Sequence, residues 1–170
     1  MVFRPCARTL PFLAIMLLAM MPAKSANADL GMMLTDVDIR FNRAAQALNE
    51  NLVLTLEECS NGEKSVCRYR VNENLEIIGT APGPGRNLEQ LVGIYVNNKG
   101  RNMREAVLMN ELLVAMTVPD LPAKERVGLV DKLLYQLGRV RTPVITVDRL
   151  RYRLDITNDN SLFLFVEAAR

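Results

Sequence analysis

The sequence predicts an α+β domain: an antiparallel sheet of about six strands with about three helices packed on one face, in the order α-β-β-β-β-α-α-β-β. Three observations lead there. Apolar residues alternate with polar ones over short stretches after residue 51 and again after residue 144, the period of a half-buried strand. Between 35 and 49, and again between 102 and 137, they recur at helical spacing. Turn signals such as Asn61-Gly62 and Asp159-Asn160 separate neighbouring strand patterns closely enough for hairpins.

Residues 1–28 stand outside this pattern. Arg4 and Arg8 precede an uncharged run, Leu10 to Met21, and "PAKSANA" closes with Ala26 and Ala28 in the small-x-small spacing that signal peptidases accept. This reads as a signal peptide over 1–28, cleaved between Ala28 and Asp29, with 29–170 as a single domain. A spanning helix needs about 20 apolar residues, and this run is shorter, contains Pro11 and meets Pro22. The expectation is therefore an exported protein, periplasmic or secreted, with no stable membrane span after processing. Loss of the leader removes Arg4, Arg8 and Lys24, so the 21 basic residues fall to 18 against 19 acidic ones, a net charge of −1. A near-neutral chain gives no global argument for nucleic-acid binding.

The elements follow in order. "TDVDIRFNRAAQALN" (35–49) places Val37, Phe41, Ala44, Ala45 and Leu48 on one helical face, with Thr35 and Asp36 where caps belong. Leu52, Leu54 and Leu56 alternate with Val53, Thr55 and Glu57, and Cys67, Tyr69 and Val71 alternate with Arg68 and Arg70, predicting a half-buried hairpin around Asn61-Gly62. In an oxidising compartment its two cysteines, Cys59 and Cys67, read as a disulfide that clips the strands. "LEIIGT" (75–80) and "LEQLVGIYV" (88–96) are two more strands; "APGPGR" between them is a loop, because two prolines lack the N–H a ladder needs. A turn is expected at Asn98-Lys99-Gly100.

Met103, Ala106, Val107, Met109, Leu113 and Met116 then predict a largely buried helix over 102–117, ended by Pro119. A second helix follows, with Pro122 in its first turn, a stripe of Val127, Val130, Leu133, Leu134 and Leu137, and Gly138 at the C-cap. "VITVDRLRYRLDIT" and "LFLFVEAA" form the last hairpin, in which the returning strand, apolar on both faces, is central. The register that a turn at Asp159-Asn160 implies sets Ile156 opposite Phe163 and Leu154 opposite Phe165, as core pairs.

The chain has no histidine, which removes Ser-His-Asp and Cys-His machinery and imidazole metal sites. Glu57-Glu58 and Glu105/Glu111 do not converge by local geometry. "GTAPGPGRN" lacks the helix that a phosphate loop needs, and "DITNDNS" lacks the glycine and distal glutamate of a calcium loop. No enzyme activity, cofactor or metal is expected. One surface feature has character: Arg149, Arg151 and Arg153 repeat every second residue and would space guanidinium groups about 7 Å apart on one strand face. With Arg86 in the proline-glycine loop, they are the candidate contacts for a protein or other anionic macromolecule of the envelope. The expected function is binding of such a partner. The alternative is a carrier that holds an apolar small molecule between sheet and helices, lined by Met103, Met109 and Met116.

Overall fold

Seven antiparallel strands and three helices build the domain, in a computed structural model that describes residues 29–96 and 103–169. The expected leader and the expected Asn98–Gly100 turn lie outside the described residues. Helix α1 spans Val37–Ala47 after a short 3-10 turn at Leu34–Asp36, and buries Val37, Phe41, Ala44 and Ala45 as their spacing predicts. Asp36 does not cap it through its side chain. Its carboxylate instead accepts the Met33 N–H at 3.0 Å, which fixes how the preceding segment enters. Strands β1 (Thr55–Asn61), β2 (Ser65–Asn72), β3 (Leu75–Ala81) and β4 (Gln90–Tyr95) form a meander. Helices α2 (Met103–Thr117) and α3 (Ala123–Leu137) precede β5 (Val144–Val147), β6 (Leu150–Ile156) and β7 (Leu162–Ala168).

The sheet order is β1-β2-β3-β4-β7-β6-β5. Strand β7 is the seam: it pairs with β4 on one side and β6 on the other, joining the meander to the last hairpin. Helices cover one face only, since the fully buried residues of β2, β3, β4, β6 and β7 fall on the same alternation. Tyr69, Ile77, Gly93, Leu164 and Leu154 form one row of that face across five strands. Gly93 marks the close approach of α2. A Cβ placed there would stand 2.2 Å from the Leu113 Cδ1, so only glycine lets α2 settle against β4. The two deepest tyrosines place their hydroxyls on partners, as buried phenols must: Tyr152 on the Thr117 hydroxyl at 2.8 Å, Tyr69 on the Leu34 carbonyl at 2.5 Å. No described helix is long and apolar enough to cross a membrane.

Several expectations are corrected. The sheet has seven strands, not six, because "VITVDRLRYRLDIT" breaks at Asp148-Arg149, where Asp148 takes φ 52°, a left-handed conformation that aspartate tolerates better than most residues. The last hairpin is shifted by one residue. Leu154 opposes Leu164 and Ile156 opposes Leu162, while Phe163 and Phe165 stand opposite Asp155 and Arg153 on the other face. The cause is a longer turn: Asn160, at φ 63°, donates to the Thr157 carbonyl, and Thr157 N–H donates to the Ser161 carbonyl, so the turn takes three residues, 158–160, where two were expected. Strand β1 is exposed along its whole length and starts at Thr55, so Leu56 lies on the surface. Strand β4 starts at Gln90, because Leu88 exchanges backbone bonds with Leu30 and Met32, two core residues the periodicity did not reveal. Pro122 is the N-cap of α3 and not a first-turn residue.

Cys59 and Cys67 are joined, directly opposite each other on β1 and β2 with their Cα atoms 4.1 Å apart. Strand β1 buries nothing, so its attachment rests on one ladder, the ion pairs of Glu57 and Glu58 with Arg70 and Arg68, and this bond. Replacing both cysteines by serine is expected to cost about 2–3 kcal/mol in the chain-entropy account. Urea unfolding of the double variant beside the parent measures it, and an unchanged midpoint would show that the ladder and ion pairs alone hold β1.

Candidate functional site

The face of the sheet turned away from the helices is built by the other half of each alternation. Register places Ile78, Val92 and Phe165 in one row across β3, β4 and β7, and Ile94 beside Phe163 in the next. These five apolar side chains are half-buried by each other, and no described helix packs over them. The Phe163 and Phe165 rings stack with centroids 6.4 Å apart.

Charges flank this strip on both sides, and they come in pairs. On the β2 side, Arg68 meets Glu58 at 3.5 Å, and Arg70 meets Glu57 and Glu76, each at 2.9 Å. On the β6 side, Arg151 meets Glu167 at 2.6 Å and Arg153 meets Asp155 at 2.5 Å. The Arg153 guanidinium also lies 3.8 Å from the centroid of the Phe165 ring, tying the charged flank to the apolar strip. The face therefore carries four arginines against five acids and presents no net positive field.

The candidate residues of the arginine ladder separate in space. Arg151 and Arg153 share the open face. Arg149 sits in the β5–β6 turn, its guanidinium against Gly31, and Arg86 lines a depression of about 200 Å³ at the β3–β4 loop with Asp29 and Glu89. Both thus lie against the segment that enters the fold, away from the strip. The apolar strip itself is what sequence reasoning missed. A signal was present: "LVGIYV" (91–96) and "LFLFVEAA" are apolar on both faces, whereas the described helices cover only one.

The methionines expected to line a carrier cavity do not share an opening. Met109 and Met116 are buried at 1% and 2% exposure, Met103 is exposed, and of the three only Met116 lines a surface groove, one that no sheet residue enters. The acids do not converge either. Glu111, on α2, has its carboxyl held above the usual range by burial and by Asp131, with Arg126 opposing. Asp159 is held below its usual range by the Thr157 hydroxyl and by Ser161, the bonds that shape the β6–β7 turn. No family model, curated protein or solved structure matches the chain.

Proposed function

We propose that this is an exported, non-enzymatic binding protein that docks a partner protein on the open face of its sheet. The observation that carries the reading is the uncovered strip of Ile78, Val92, Ile94, Phe163 and Phe165 inside a rim of paired charges. An apolar centre within a polar rim is the anatomy of a protein interface. The charge balance selects the partner's chemistry. A polyanion would have to compete with Glu167 and Asp155 for Arg151 and Arg153, whereas a protein with its own apolar patch and mixed-charge rim meets the face without breaking those pairs. Export is supported by the leader pattern and by the oxidised cysteine pair.

The test places a photo-reactive side chain at Ile94, within the strip, or at Lys132, on the exposed side of α3, in the cell's own compartment. One discrete adduct with a different protein is expected from position 94 and none from 132. Phe165→Gln should reduce its yield about tenfold or more, a loss typical of a buried aromatic anchor, with the thermal melt little changed. Equal adducts from both positions, no adduct, or an adduct containing two copies of this chain would reject the reading.

A further inference from the structure

A second concave feature lies on the opposite side of the molecule, between α1 and the corner joining α2 to α3. It is a groove of about 420 Å³, and no sheet residue lines it. Its floor is Ala44, Ala47, Leu48, Ala115, Met116 and Pro119, and its rim is Arg40, Arg43 and Arg126. Its volume is in the range of small-molecule sites. No acid lines it. Among the described residues, none of the three arginines is in an ion pair. Two are held by backbone carbonyls instead: Arg40 donates to Gly31 at 3.2 Å and Arg126 to Leu121 at 2.6 Å. Arg40 and Arg43 stand three apart on α1, on neighbouring positions of one helix face, and Arg126 faces them from α3. Glu111, one turn before Ala115, feels Arg126 but does not line the groove.

Three guanidinium groups over an apolar channel, with no carboxylate among the lining residues, call for a ligand with the inverse character. We propose that this groove binds a free single-chain aliphatic carboxylate, the chain lying along Ala44, Ala47 and Met116 and the head accepting hydrogen bonds from the arginine rim. A planar fork of donors pairs well with a carboxylate. The proposal is independent of the sheet-face reading, which needs no small molecule.

Decanoate is the probe, titrated into the oxidised processed protein and followed by calorimetry and by the methionine methyl signals. Saturable one-to-one binding is expected, with the Met116 methyl shifting. Decanol, which lacks the charge, should bind about tenfold or more weakly, because a hydrogen bond to a charged group contributes roughly 1.5–3 kcal/mol. Arg43→Ala and Arg126→Ala should each weaken decanoate by a similar factor and leave decanol unaffected. Arg126 also bonds Leu121, so its variant carries a folding risk; Arg43 is exposed, and its variant decides if the other fails to fold. Four results would overturn the proposal: no saturable shift, equal affinity for decanol and decanoate, undiminished decanoate binding by Arg43→Ala, or sedimentation with anionic phospholipid vesicles without binding of free decanoate.

Discussion

Gly93→Val is expected to destabilise the domain by at least about 3 kcal/mol, a large part of the roughly 5–15 kcal/mol that holds a typical domain together. The first added carbon would already stand 2.2 Å from Leu113 Cδ1 and 3.7 Å from Met109 Cγ, and both side chains are sealed in the core. Relief requires α2 to lift from the sheet, which would also strain the Thr117–Tyr152 bond at its far end. Gly79 offers a graded comparison. A carbon there meets the ends of Leu34 and Leu88 at 2.8 and 3.1 Å, and Leu34 is only partly buried, so Gly79→Ala should cost less. Urea midpoints of the two variants make the measurement. Adding Leu113→Ala to Gly93→Val should recover part of the loss, because the cavity and the intruding methyls occupy the same space. Unaltered stability of Gly93→Val would mean that α2 does not rest on β4 as described.

Alkali should produce the second large effect. Burial pushes the Tyr152 phenol up to about 12, with the Thr117 hydrogen bond opposing and Asp148 adding to the rise. Burial, with Asp38 and Asp36, raises Tyr69 further still. Both are therefore raised in the folded state above the ordinary tyrosine value of about 10. The unfolded chain loses these protons first, so stability is fully present below pH 10 and falls as pH climbs from there through 12. The slope is about 1.4 kcal/mol per pH unit for each tyrosine in that window. Urea midpoints between pH 9 and 12, read beside phenolate absorbance, test this. Tyr152→Phe should flatten the slope by one tyrosine's share, at a cost near neutral pH of roughly 1 kcal/mol for the lost hydrogen bond. A profile flat to pH 12 would contradict the buried placement of both rings.

Much of this architecture was legible because it depends on local period. Phe41 with Ala44 and Ala45, the meander from Cys67 to Tyr95, and Val130 with Leu133 declare their faces within a few residues. What depended on register was not legible. A single extra residue in the turn after Ile156 moves Phe163 and Phe165 from the core to the open face, and propensity barely distinguishes the two turns. The arginine ladder shows the same limit, since Glu167 becomes a partner of Arg151 only once β6 and β7 are aligned. The groove was hidden for a different reason. Arg43 and Arg126 come from helices far apart in the chain, and only the packing of α1 against α2 and α3 brings them to one rim.

The central place of β7 also sets a timetable. It is the last of the seven strands to leave the ribosome, yet β4 and β6 each need it as a neighbour. Until β7 is made, the meander and the β5–β6 pair hold separate, unfinished edges, and neither can close the row from Tyr69 to Leu154 alone. Completion waits for β7, so the two parts of the sheet stay unjoined until that strand has emerged.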